Sequence, residues 1–197
     1  MGSDNPIKTG VPALVFYGHP ALRKASVDIT EITDDIRELA LDMVDTMYDH
    51  EGIGLAAPQM GVNINMIVID VAPPDPESEQ ARFLSPGEVS LFPKMPVIMV
   101  NPRIGQPSAE EVTAVEGCLS IPGVSAEVPR PATITVAGQT LSGKAFSYPC
   151  GGLLGRCIQH ECDHLNGVLF IDYLDDDALD SIGEALDELK AEQGETS

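Results

Sequence analysis

An α+β fold, with short mixed or antiparallel strands set around one central helix, is predicted for this chain by two patterns and by their order. Segments with apolar residues at helical spacing occur near the start, late in the chain and at the end of its 197 residues. Between them lie short apolar runs interrupted by glycine and proline, as brief strands are. These runs do not alternate with the helical segments, which argues against a wound α/β sheet.

Ile32, Ile36, Leu39, Met43 and Met47 recur at spacings of three and four, with Thr33 as N-cap and Asp34 and Asp35 suited to the positive end of a helix. The spacing predicts roughly four helical turns stopping at Gly52. Residues 64–71 then read as a buried strand. Residues 72–93 hold five prolines and no period, so they are expected to form a long surface excursion, placed as a partial lid near a cleft. Residues 96–100, 112–115, 132–137 and 144–148 read as further short strands. Gly151-Gly152 opens the central helix, and Gly167 ends it before a short strand over 168–171. Leu179, Ile182, Leu186 and Leu189 share one face of a last helix. No repeat or linker divides the chain, so 1–197 is read as a single domain, with 1–12 as a flexible arm and 175–197 as an acidic C-terminal helix.

Composition narrows the function. With 43% apolar residues the chain can build a sizeable core. A net charge of −20, with 11 basic residues, argues against direct binding of nucleic acid or of an anionic membrane. There is no apolar run of membrane-spanning length and no secretory pattern, so a cytoplasmic location is expected. Three of the four cysteines, Cys150, Cys157 and Cys162, crowd around a histidine pair, which favours metal or structural roles over disulfides.

That pair lies in Gln159-His160-Glu161-Cys162-Asp163-His164, an HExxH pattern. Residues four apart share one helical face, so both imidazoles can reach one dication while Glu161 stays beside its water. The chemistry implied is metal-assisted hydrolysis, which needs a third protein ligand and an open position. Cys118 is the best candidate for that ligand. Cys157, three residues before His160, is a rival on the same face, whereas Cys162 points about 200° away and belongs to the core. His19 and His50 read as surface or capping histidines.

Together with Gly52-Ile53-Gly54-Leu55-Ala56-Ala57-Pro58-Gln59 and Glu116-Gly117-Cys118-Leu119-Ser120, this segment resembles the three ordered motifs of the peptide deformylase family, over residues 14–173. HExxH alone occurs in many metalloproteases; the three motifs in order are specific. The resemblance implies removal of the N-formyl group from the formyl-methionine of nascent proteins, with release of formate.

The residues suit that chemistry. A dication held by Cys118, His160 and His164 can bring the pKa of its water toward about 7. Glu161 would take the proton and hand it to the leaving nitrogen. The Gln59 side-chain amide and the Leu119 N–H can donate to the developing oxyanion. Ile53, Leu119, Leu153 and the stem of Cys157 form a candidate slot for methionine, and Gly54 with Gly123-Val124-Ser125 can pair with an extended peptide as an added strand. One departure is Ser125, where the resemblance leads one to expect an arginine. Two imidazoles and a thiolate suit Zn²⁺, Ni²⁺, Co²⁺ or Fe²⁺ alike; the family association puts Fe²⁺ first.

The expected partners are N-formylmethionyl nascent peptides, met close to the ribosome in passing. So acidic a terminal helix would be repelled by ribosomal RNA, so its apolar stripe is expected to pack on the protein itself. Two other classes are weighed: an HExxH zinc endopeptidase, which would take its third ligand downstream rather than from Cys118, and a non-catalytic binding module whose metal is closed by four ligands including Cys157 or Cys162.

Overall fold

The computed structural model describes residues 13–194, so the flexible arm expected over 1–12 lies outside the described residues. Its helices are α1 (Asp34–Asp49), α2 (Pro86–Leu91), α3 (Gly152–Leu165) and α4 (Asp176–Gly194). Its strands are β1 (Gly54–Ala56), β2 (Met66–Ile69), β3 (Val97–Gly105), β4 (Glu111–Cys118), β5 (Ile121–Pro131), β6 (Thr133–Gln139) and β7 (Ala145–Gly151). The fold class is α+β, as predicted.

Five strands form one antiparallel sheet in the order β1-β2-β3-β6-β7, while β4 and β5 pair as a separate ribbon. The sheet is covered on both faces, and strand alternation decides which side chain goes where. Met66 and Val68 of β2 join Leu39, Met43 and Met47 of α1, whereas Ile67 and Ile69 join Leu154, Ile158 and Leu165 of α3. β2 is therefore buried at every residue, and α3 sits in the interior. A third cluster lies between the ribbon and the chain's later part, where Ile121, Val124 and Val128 of β5 meet Phe170, Ile171 and Leu186. The α4 stripe packs there on the protein's own body, as expected from its acidity.

The α1 prediction holds to its cap, where the Thr33 hydroxyl accepts from the Ile36 N–H at 3.4 Å. Three expectations are corrected. Residues 168–171 are not a strand; Phe170–Tyr173 is a 3-10 turn, because the Asp172 carboxylate accepts the Leu169 N–H and pairs with Arg23 at 2.5 and 3.0 Å. The excursion over 72–93 contains α2, whose Ser85–Glu88 capping box buries Glu88 and Leu91 against β7. None of its residues lines the main cleft, so it is no lid. Two strands escape the sequence pattern: β1 has only three residues, and β5 carries Pro122, Pro129 and Pro131, which a two-stranded ribbon tolerates because each strand has a free edge.

Candidate active site

The interior position of α3 places its polar face at the junction of sheet and ribbon. His160 and His164 lie one turn apart, with ring centroids separated by 5.0 Å. Cys118 ends β4 at a register shift between Gly117 and Cys118, and its sulfur stands 3.3 Å from His164 Nε2. One donor atom from each of Cys118, His160 and His164 lies within 4.8 Å of the others, a spacing that one cation can bridge. Beside them Glu161 is 4% exposed, and its Oε2 has no partner among the described residues. An orphaned carboxylate oxygen next to three soft and borderline donors fits a metal site that keeps room for a water. Cys157 and Cys162 lie outside this donor group, which argues against a closed four-ligand site.

The surrounding segments hold these groups in place. Gln59 closes a 3-10 turn after β1; its Oε1 accepts the Ala56 N–H at 2.8 Å, and its Nε2 donates toward Cys118 Sγ at 3.5 Å and Ser120 Oγ at 3.2 Å. That pattern fixes the amide so that its donor side faces the site. Gly54 has no room for a side chain, because a Cβ there would lie 2.5 Å from Glu161 Oε1 and 2.8 Å from Cys157 Sγ. The β1 backbone thus closes directly over the Glu161 carboxylate.

Beneath His160 lies a buried ionic cluster. Glu116 accepts from four donors: Arg130 Nε at 2.6 Å and Arg156 Nη1 at 2.7 Å on one oxygen, Arg130 Nη2 and His160 Nδ1, both at 2.9 Å, on the other. The bond to Nδ1 fixes the tautomer and turns Nε2 toward the donor group. Arg130 reaches on to Asp163 at 2.8 Å, Asp163 accepts the Tyr173 hydroxyl at 3.0 Å, and the Tyr173 ring lies 5.0 Å from the guanidinium. Apart from His160, sequence reasoning assigned none of these residues a role. A signal was available: in so acidic a chain, Arg130 between two prolines and Arg156 on an apolar helix call for buried acids.

Burial would raise the Glu116 carboxyl, but hydrogen bonds from His160 and Arg130 outweigh it and hold it at about 2. Burial pushes Glu161 up to about 7, against the pull of His160. Burial also drives His164 well below its ordinary value, keeping a neutral imidazole; His160 is drawn down by burial but raised overall by hydrogen bonds to Cys118 and Glu116. Burial raises the thiols of Cys157 and Cys162, the latter to about 12, so both remain protonated core groups.

The donor group opens into a cleft of about 740 Å³. Every residue named as a candidate from sequence lines it or lies at its base: Ile53, Gly54, Gln59, Leu119, Leu153, Cys157, His160 and Glu161 on its walls with Cys118, and His164 behind them. Ile53 and Leu153 are 45% and 53% exposed, giving the mouth an apolar rim. His19 caps a short 3-10 turn through the Ala21 N–H and His50 caps the C-terminus of α1, bonding to the Thr46 carbonyl, both as expected. Among the described residues no helix is long and apolar enough to cross a membrane.

Residues 11–179 match the family model described as polypeptide deformylase. The chain is 47% identical over 164 residues to a peptide deformylase of Brucella suis, covering 83% of this chain and 85% of that one. It is 44% identical over 162 residues to peptide deformylase 1 of Nostoc, covering 82% and 78%. Among solved structures, peptide deformylase 1B of Arabidopsis thaliana in complex with an inhibitor superposes with a TM-score of 0.77 at 35% identity, with 93% of each chain covered. The Synechococcus elongatus peptide deformylase in complex with actinonin gives 0.72 at 37% identity, with 88% of each chain covered.

Proposed function

This chain belongs to the polypeptide deformylase family, and from that premise we propose how its own residues perform the reaction. As a member it is a metal-dependent hydrolase that removes the N-formyl group from nascent proteins. We assign the metal to Cys118, His160 and His164, with Fe²⁺ first and Zn²⁺, Ni²⁺ or Co²⁺ as substitutes. Bound there, such an ion polarises the formyl carbonyl and acidifies a water. Glu161 accepts the proton of the attacking water and returns it to the departing amine nitrogen. Gln59 Nε2, giving up its long contact to Cys118 Sγ, and the Leu119 N–H donate to the formyl oxygen as negative charge builds on it. Ile53, Leu153 and Cys157 take the methionine side chain, while Gly54 and residues 123–125 offer backbone to the peptide. Main-chain reading suits a substrate whose later residues vary.

We further read the described chain as one catalytic unit, working in the cytoplasm on peptides leaving the ribosome. The observation that carries the assignment is the three converging donors beside a buried carboxylate with a free oxygen. The test is formate release from a formyl-methionyl peptide by anaerobically purified protein, with metal content measured in parallel. Glu161→Gln is expected to keep the metal and lose about 10²–10⁴-fold in rate. Activity within a few-fold of the parent would remove Glu161 from the mechanism.

A further inference from the structure

We propose that the open half of β7, with the groove beside it, docks an extended acidic segment of a partner protein, at a surface separate from the metal cleft. Charge is unevenly laid out along the chain. Residues 89–109 and 128–160 contain no aspartate or glutamate, although the whole chain has 31. Of the five basic residues in these stretches, three are matched by acids brought in from elsewhere: Arg103 by Asp28, Arg130 by Glu116 and Asp163, and Arg156 by Glu116. The other two, Lys94 and Lys144, have no hydrogen bond or ion pair among the described residues, and both line a groove of about 410 Å³. No acidic residue lines that groove, and it shares no residue with the cleft.

Between the lysines the groove is apolar. Phe146 and Tyr148, two apart on β7, turn to the same face of the sheet. Their rings stack with centroids 5.8 Å apart and planes 16° from parallel, half-buried beside Val97 and Leu141. The backbone next to this shelf is incomplete as well. β7 is the last strand of its sheet, so one of its edges has no strand partner. Gly151 N–H turns to that edge and donates to Ser85 Oγ at 3.1 Å. Alternation along the strand then turns Pro149, Ser147 and Ala145 the same way. The edge is covered by α2 at Pro149, whose carbonyl would lie 2.7 Å from a Cβ on Gly87, and Pro149 has no N–H to leave unpaired. It is open at Ser147 and Ala145, both exposed.

Lysine and proline at a sheet edge deter unwanted pairing, but deterrence does not account for an aromatic shelf left half-exposed between two unmatched cations. An added strand would satisfy the outward backbone groups and lay alternate side chains along the shelf. Its carboxylates would meet Lys94 and Lys144, because at physiological salt the field of the distant acidic residues is screened within about 8 Å.

The test titrates isotope-labelled, zinc-loaded protein with the acetylated and amidated peptide Thr-Glu-Thr-Phe-Thr-Glu-Thr, whose glutamates and phenylalanine share one face of a strand, and follows backbone amide shifts. Saturable shifts are expected over residues 144–148 and at Lys94, with none at Gly54 or Leu119 in the cleft. Replacing both glutamates by lysine should weaken binding, as should Thr-Thr-Glu-Phe-Glu-Thr-Thr, which puts the ring on the opposite face from the acids. Lys94→Gln and Lys144→Gln should each lower affinity by about 1.4- to 5-fold. Ser147→Pro, which removes an outward N–H and leaves the ladder to β6 intact, should lower it further. Both lysine variants should release formate at the parental rate. Absence of saturable shifts, shifts confined to the cleft, equal affinity for the lysine peptide, or parental affinity in both lysine variants would overturn the proposal.

Discussion

Glu116 and Glu51 are both carboxylates lining one cleft, and the structure treats them in opposite ways. Glu116, at the floor, is 7% exposed and accepts from Arg130, Arg156 and His160 at all four of its available positions. Glu51, at the mouth, keeps its carboxylate unengaged in a backbone conformation costly for its residue type. In a low-dielectric floor an unmatched charge is expensive, so every lone pair is used and the group becomes fixed scaffolding. At a wetted rim water satisfies the charge, and no protein partner is needed.

Removing a member of the floor should therefore cost most. Glu116→Ala strands the Nδ1–H of His160 and leaves Arg130 with Asp163 alone and Arg156 with backbone carbonyls alone, and breaking buried pairs of this kind typically costs about 3–5 kcal/mol. Chemical denaturation should show that loss, and the folded fraction should retain less metal on dialysis. Unchanged stability would mean that the floor is wetter than its geometry indicates. Gln59→Ala comes next: the fold should survive, while kcat falls by about 10²–10³-fold with a smaller change in KM. A rise in KM with kcat intact would move Gln59 from the transition state to substrate binding.

Ending the chain after Tyr173 removes α4 from Ile121, Val124 and Phe170, uncovering the cluster that includes Leu186. Melting temperature should fall by several degrees, at about 2–4 °C per kcal/mol for a chain of this size. Ribosome association at low salt should not change, and its loss without a drop in melting temperature would make α4 a docking element. The smallest effect belongs to the excursion. Phe83 is 78% exposed and lines no part of the cleft, so Phe83→Ser should alter stability by less than about 0.5 kcal/mol and leave kcat/KM unaffected. A clear loss of activity would restore the lid reading that the structure sets aside.

Local regularities made part of the molecule legible in advance. Helical spacing alone puts His160 and His164 on one face, and the Thr33 cap with the stripe from Ile36 to Met47 defines α1 almost to the residue. The donor set of Cys118, His160 and His164 was readable because each ligand type carries its chemistry in its own side chain. Short or proline-bearing strands were not: β1 and β5 exist because partners lie beside them, and three residues or a run with prolines have no periodicity to detect.

What the sequence by itself determined is thus the local geometry and the side chains on offer: a helix bearing two imidazoles with a carboxylate between them, a cysteine in its own motif, and an acidic terminal helix with one apolar face. Only the tertiary structure decided how those groups are held. Glu116 meets Arg130, Arg156 and His160 across separations of 14, 40 and 44 residues, and its partners are chosen by the pairing of β4 with β5 and by how that ribbon folds onto α3. Nor could composition say which carboxylates would lie in the interior and which at the rim, since a side chain's charge is a property of its atoms, whereas the dielectric and the partners around it belong to the packed whole.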